Sequence, residues 1–278
     1  MNIGIFVPNM PEKPTALMRA VHKAFLKTGC SVKFFYPNQS FSGDLIILYG
    51  WGGSRQQELI QKINCNYVAF DLGYWSRSGF KERKWRISIN DWHCPDLIIN
   101  GPYFGNERKS PVVQKNSQNS EGHILLVGSS PKSLKVAASG WSKNMAHKIR
   151  KQFPNSKLVY RPKPERKIEQ IDCDSISKNC DIKDAFDDCK LVVCRHSNVS
   201  VDAAIAGVPC VAEDGAGSAI YPKKLQDFHN QPDIKLRRTF INHLAWWQWS
   251  INEINNNPTK FTSWIEAQIN ALSADRRC

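Results

Sequence analysis

Cys194-Arg195-His196-Ser197-Asn198-Val199-Ser200-Val201-Asp202-Ala203-Ala204-Ile205-Ala206-Gly207-Val208-Pro209-Cys210-Val211 is the stretch from which the fold is read. The apolar run Leu191–Cys194 is a strand that stops at a polar loop. Ser197 or Asn198 then caps a helix over Asn198–Ala206. Ala203, Ala204 and Ala206 let that helix lie close to its neighbours. Gly207 ends it, and Pro209 opens the next strand, Pro209–Ala212. The first-turn amides and the positive end of the helix dipole face the loop, and such a terminus accepts an anion.

The same alternation extends in both directions. Ahead of the motif, His123–Gly128 and Lys157–Tyr160 read as strands, Ser142–Phe153 as a helix and Ile182–Asp187 as a short helix. Toward the N-terminus, Ile3–Pro8, Val32–Tyr36, Asp44–Tyr49, Tyr67–Phe70, Arg86–Ile89 and Leu97–Asn100 read as strands. Two helices are placed among them. Lys13–Thr28 carries Leu17, Ala20, Val21, Ala24 and Phe25 on one face, and Arg55–Ile63 is the second. Helices over Lys235–Trp249 and Pro258–Leu272 close the chain. The pattern predicts an α/β protein with two Rossmann-like domains facing a cleft. The expected boundaries are residues 1–105, a polar linker at 106–122, a second domain at 123–245 and a helical tail at 246–278. Trp246, Trp247 and Trp249 are expected to anchor the tail to the core.

Composition narrows the function classes. Hydrophobic residues make up 41% and charged residues 23% of 278, so disorder and fibrous architectures are excluded. No apolar run approaches the ~20 residues of a membrane span, so no membrane insertion is expected. The N-terminus reads as a first strand rather than a secretory leader. Nine scattered cysteines without a Cys-x-x-Cys pair suit reduced thiols in the cytoplasm, and no metal site is expected. The net charge of +13, spread over both halves, favours polyanionic partners such as nucleic acid or nucleotide phosphates. Gly50-Trp51-Gly52-Gly53 does not fit a P-loop. No Gly-x-Gly-x-x-Gly follows the first strand, and no Gly-x-Ser-x-Gly is present.

In open α/β sheets ligands bind beyond the carboxyl ends of the strands, and several such loops carry chemistry. Tyr160-Arg161-Pro162-Lys163-Pro164 presents two cations on a proline-stiffened loop. Gly128-Ser129-Ser130 offers backbone amides. Glu213 and Asp214 follow the last strand and suit sugar or ribose hydroxyls. In the N-terminal half, Asp71, Tyr74, Trp75 and Arg77 leave a strand together. Arg83-Lys84-Trp85-Arg86 and Asp91-Trp92-His93 follow, interleaving aromatics with cations as surfaces that stack bases and hold phosphates do.

The 194–211 run resembles the donor-site motif of GT-B glycosyltransferases, particularly those of bacterial polysaccharide and phage origin. In that family a His/Ser/Asn-type loop precedes a helix ending Ala-Gly-Val-Pro. The resemblance is close over this motif and loose over the two-domain layout. It implies that His196, Ser197, Asn198 and Val199 hold the diphosphate of a nucleotide-sugar, such as a UDP-sugar, with Gly128, Ser129, Arg161, Lys163, Glu213 and Asp214 around it. It implies no obligatory metal or cofactor. The spaced glutamate pair of many family members is not evident here. The N-terminal half becomes the acceptor side, with Tyr74, Trp75, Arg77, Arg83, Lys84, Trp85, Arg86 and Trp92 as its floor. Glycosyl transfer needs a group to take the acceptor hydroxyl proton. Asp71 is the first candidate, Asp91 and His93 the second. Charge and aromatics favour DNA carrying a hydroxymethylated pyrimidine as acceptor, and a surface polysaccharide or lipid-linked glycan is the alternative. A non-catalytic nucleotide- or nucleic-acid-binding protein and a sugar epimerase also fit the layout.

Overall fold

A computed structural model describes residues 1–8, 12–116, 119–129, 140–163, 170–178 and 180–275. Ser130 and Pro164 lie outside the described residues. The chain divides into two compact units. One comprises Met1–Arg108 with the described residues from His243 onward, and the other comprises Lys109–Asn242. Of the stretch 106–122, expected as linker, the described residues from Lys109 onward thus belong to the second unit and those before it to the first, and the described helical tail belongs to the first.

The first unit contains β1 (Asn2–Phe6), α1 (Glu12–Lys27), β2 (Ser31–Phe35), β3 (Leu45–Tyr49), α2 (Ser54–Lys62), β4 (Asn66–Leu72), β5 (Trp85–Ile89) and α3 (Pro95–Asn100). The second contains β6 (His123–Val127), α4 (Trp141–Gln152), β7 (Leu158–Arg161), β8 (Ser175–Ile176), β9 (Cys189–Cys194), α5 (Val199–Ala206) and β10 (Cys210–Ala212). Helix α6 (Ile234–Trp246) carries the chain from the second unit to the first. There β11 (Gln248–Trp249), α7 (Ile251–Asn256) and α8 (Pro258–Asp275) complete it.

The first sheet has the order β11-β5-β4-β3-β1-β2. Strands β1 to β4 are parallel, while β5 is antiparallel to β4 and β11 antiparallel to β5. Both faces are covered, so β3 and β5 are buried almost throughout, as near-continuous apolar runs in such sheets are. The predicted face of α1 is buried at Leu17, Ala20, Val21, Ala24 and Phe25, and α1 packs against α7 and α8. Phe261 of α8 meets Phe25, Phe70 and Trp249 at ring separations of 6.1, 6.4 and 5.2 Å.

Two expected elements differ. Leu97–Asn100 is helical, within α3, rather than a strand. Pro95 at the helix start has its φ preset for helix, and Cys94 reverses the chain with φ 49°. Ile98 N–H then bonds Cys94 O at 3.0 Å and Gly101 N–H bonds Leu97 O at 2.9 Å. The expected helix Lys235–Trp249 stops at Trp246, and Gln248–Trp249 joins the open edge of β5. Gln248 also accepts the Tyr74 N–H at 2.8 Å. Helix α7 was not anticipated, although Ser250 and Glu253 spell a capping box that the structure forms.

Arg108 ends the first segment of its unit and grips the returning one. Its guanidinium donates to Ala245 O and Gln248 O, both at 2.7 Å, lies 3.2 Å from Glu253, and stacks 3.8 Å over the Trp249 ring. Burial pushes the Glu253 carboxyl up, but Arg108 and Lys84 outweigh it and hold it below its ordinary value. A carboxyl depressed in the folded state stabilises above its unfolded pKa of about 4.3, and that contribution fades as pH falls through the folded value. Arg108→Lys keeps charge but loses the fork and the stacking. It is expected to cost about 2 kcal/mol at pH 7 in urea unfolding, with a smaller difference at pH 3.

The second sheet has the order β10-β9-β6-β7-β8 and is parallel throughout. Every strand therefore ends on one edge. The loops after β6, β7, β9 and β10 converge there, as the sequence pattern requires.

Candidate functional site

At the carboxyl edge of the second sheet, β9 delivers Arg195 and His196 and β10 delivers Glu213 and Asp214. Glu213 N–H bonds Cys194 O at 3.1 Å, holding the two loops together. Asp214 braces the His196 turn. Its Oδ1 accepts the His196 N–H at 2.9 Å and lies 2.5 Å from His196 Nδ1, and its Oδ2 accepts Arg195 Nε at 3.0 Å. His196 has φ 47°, a left-handed conformation uncommon outside glycine, and these bonds hold it there. Burial pushes the Asp214 carboxyl up, but His196 and Arg195 outweigh it, leaving it below its ordinary value.

Helix α5 begins directly beyond. The Asn198 side chain makes no capping bond. Ser197 Oγ accepts the Val199 N–H at 3.2 Å, and Ser200 Oγ donates to Ser197 O at 2.8 Å. The turn after Asp214 presses against this segment. A Cβ on Gly217 would lie 2.3 Å from Ser200 Cβ, and one on Gly215 would lie 3.2 Å from His196 Cα. Glycine is needed for that approach.

The remaining candidates of this unit are engaged differently from one another. Glu213 Oε2 accepts Trp141 Nε1 at 2.6 Å, and its Oε1 is 3.5 Å from Arg195. Arg161 directs its guanidinium at Ser177 Oγ (3.2 Å), Cys180 Sγ (3.2 Å) and Cys180 O (2.8 Å). Lys163 is exposed and Ser129 half-buried. Gly128 N–H bonds Arg161 O at 2.9 Å, and a Cβ there would meet the Tyr160 hydroxyl at 2.5 Å. Arg195, Gly215 and Gly217 are the contributors that sequence reasoning missed. Their signal was proximity: all lie in the loops already singled out.

In the first unit, Asp71 on β4 faces Arg86 on β5 across the antiparallel ladder. Arg86 donates to Asp71 Oδ2 at 3.2 Å and approaches His93 Nδ1 at 2.5 Å. Three candidates thus meet in one cluster. Asp91 instead accepts the Trp92 N–H at 2.5 Å, closing a turn.

The expected aromatic floor needs correction. Tyr74, Trp85 and Trp92 are 0, 1 and 8% exposed, so they pack the core and do not offer ring faces to an acceptor. Trp92 stacks on Trp51 at 5.0 Å, and Trp85 meets Tyr49 edge-on at 5.6 Å. Arg86 is likewise buried. Arg77 donates to Gly73 O at 2.9 Å and also to Tyr74 O, and Lys84 pairs with Glu253. Trp75 and Arg83 remain half-exposed. Among the described residues no group of three or more His, Cys, Asp or Glu side chains is disposed to hold a metal ion. No described helix is long and apolar enough to cross a membrane.

No protein-family model matches this chain, and no curated protein matches it. Among solved structures, the β-Kdo 2,7-transferase of Thermosulfurimonas dismutans KpsC matches at a TM-score of 0.54 and 14% identity, over 94% of this chain and 100% of that one. The β-Kdo 2,4-transferase of the same KpsC matches at 0.53 and 11%, over 93% and 98%. At such identities the likeness is one of fold. The chain shares the two-Rossmann α/β architecture of these GT-B glycosyltransferases.

Proposed function

We propose that the chain is a glycosyltransferase that takes a nucleotide-activated sugar at the carboxyl edge of the second sheet. The observation that carries the reading is the braced junction of β9 and α5. There Asp214, Gly215 and Gly217 fix a polar turn against the first turn of a helix. The nucleotide phosphate binds the amides of that turn, with Lys163 adding charge and a UDP-sugar the first donor to try. As the acceptor oxygen attacks the anomeric carbon, its proton passes to a carboxylate base, for which Asp71 is the candidate. The bond from sugar to phosphate breaks, and the nucleotide leaves with the electron pair, its charge met by the same amides. The reading needs no metal.

For the acceptor, burial of Tyr74, Trp85 and Trp92 removes most of the stacking floor that, together with the charge, favoured DNA. The matched structures are named as Kdo transferases. A saccharide hydroxyl, in a polysaccharide or lipid-linked glycan, is therefore the acceptor we favour. The charge of +13 keeps hydroxymethylated DNA as the second reading. The free thiols support a cytoplasmic setting.

The test is incubation with a panel of nucleotide-sugars, offering oligosaccharides, plain DNA and hydroxymethylated DNA in parallel, followed by mass analysis. One added glycosyl residue on an oligosaccharide is the expected result. A gain on hydroxymethylated DNA alone would move the assignment to the second reading. Donor binding without transfer or hydrolysis across the panel would reduce the chain to a binding protein.

A further inference from the structure

Arg86 and His93 are 5 and 4% exposed, an unusual depth for two ionisable groups in contact. Asp71, by contrast, keeps 38% of its side chain exposed at the end of β4. The register of β4 and β5 places Arg86 directly opposite Asp71. Arg86 Nη2 donates to Asp71 Oδ2 at 3.2 Å, while the backbone N–H of Leu72 donates to Oδ1 at 2.7 Å. Both carboxylate oxygens are thereby oriented. On its other side, Arg86 Nη1 lies 2.5 Å from His93 Nδ1, 3.2 Å from His93 Nε2 and 3.5 Å from Trp92 O. A guanidinium has only donors. A ring in that contact must offer it a lone pair, which a neutral imidazole can do.

We infer that Arg86 and His93 form a buried positioning pair that fixes the Asp71 carboxylate at the carboxyl edge of the first sheet. The inference rests on the reading of Asp71 as the proton acceptor of glycosyl transfer. The pair replaces two expectations from the sequence: Arg86 is not an acceptor contact, and His93 is not a base. Protonating His93 would set two cations in contact away from water, so the pair also favours the neutral ring. The other groups facing Arg86 are Tyr74 and Cys94, with Asp91 facing Cys94. Burial is the main cause that pushes Tyr74 and Cys94 up to about 12, so both are neutral at physiological pH. Asp71 is then the carboxylate that balances the guanidinium.

Two readouts on the full chain test this. The first is independent of turnover: nitrogen NMR of the histidine rings, with His93 assigned through His93→Gln. In the unmodified chain His93 is expected to stay neutral from pH 8 to pH 5. In Arg86→Met it is expected to titrate at a higher pH than in the unmodified chain. An ordinary titration in the unmodified chain would overturn the pair. The second uses whichever nucleotide-sugar the panel shows to be turned over. Arg86→Met and His93→Leu are expected to lower kcat at least tenfold with the donor KM changed less than twofold. Arg86→Lys and His93→Gln, which keep the donor and the acceptor, are expected to recover most of the rate. Equal losses in all four variants, or losses confined to KM, would reject positioning. If no donor is turned over, the functional reading fails by itself, and the ring titration still decides whether the pair exists. Should Arg86→Met fail to fold, Arg86→Lys serves for the titration. The shorter side chain sets the cation farther from His93, which is expected to raise the His93 value.

Discussion

Gly207→Ala is expected to destabilise the second unit by about 3 kcal/mol or more, a large effect for a single added methyl. Gly207 terminates α5 with φ 81°, and its N–H closes the last turn on Ala203 O at 2.8 Å. The conformation alone would cost an alanine about 1 kcal/mol. The surroundings add the rest. A Cβ at this position would lie 2.0 Å from Lys115 O and 2.9 Å from Lys115 C, which are backbone atoms and cannot rotate away. Nor is that segment free to retreat. Gln114 N–H bonds Ile205 O at 2.8 Å. The buried Arg237 ties Gln114 O (3.0 Å) and Asn116 to the end of α5 at Ala204 O (2.7 Å). Gly140 supplies the control in the same unit. It has φ 88°, and a methyl added there would meet none of the described residues within 4 Å, so Gly140→Ala should cost the conformational part, about 1 kcal/mol. Urea unfolding of both variants separates the two causes. Equal losses would mean that the crowding by Lys115 has no energetic weight.

That contrast also shows what a sequence can and cannot disclose. The 194–211 motif was legible because its signals are local: an apolar strand, a polar turn, small helical residues, a terminating glycine and a proline. The parallel α/β character of the second sheet followed from it. What was not legible depends on partners distant in the chain. Leu97-Ile98-Ile99 is apolar in either conformation, and only the chain reversal at Cys94 makes it helical. Glu213 looked available for a ligand, yet it meets Trp141, 72 residues away. Tryptophans beside arginines suggested an exposed surface. Alternation along β5 would have set Arg86 opposite to Trp85 and Ile87, one face buried and the other in water. Both faces of the sheet are covered, so Arg86 is buried as well. Burying it required counterparts, and those counterparts are Asp71 and His93.

The second large effect is expected at Asp214. Asp214→Ala removes the acceptor of His196 N–H, the 2.5 Å contact to its ring and the partner of Arg195 Nε in one step. His196 then loses the bonds that hold φ at 47°. The turn can relax to a common conformation, and it carries the residues leading into α5 with it. Charge-assisted hydrogen bonds are worth roughly 1.5–3 kcal/mol each. A loss of about 2.7 kcal/mol from donor use, near 100-fold in kcat/KM for the nucleotide-sugar, is therefore expected. Asp214→Asn retains an oxygen for the His196 N–H but no charge for Arg195, so a smaller loss, about tenfold, should follow. Acidity gives a parallel measurement. The Asp214 carboxyl is held below its ordinary value, so the brace is fully present above about pH 4 and weakens as pH falls through the folded value. Donor affinity by titration calorimetry should drop over that acid range in the unmodified chain and stay flat in Asp214→Asn. If Asp214→Ala binds and turns over donor within twofold of the unmodified chain, the braced turn has no part in holding the nucleotide, and the anion must be sought at Arg161 and Lys163 instead.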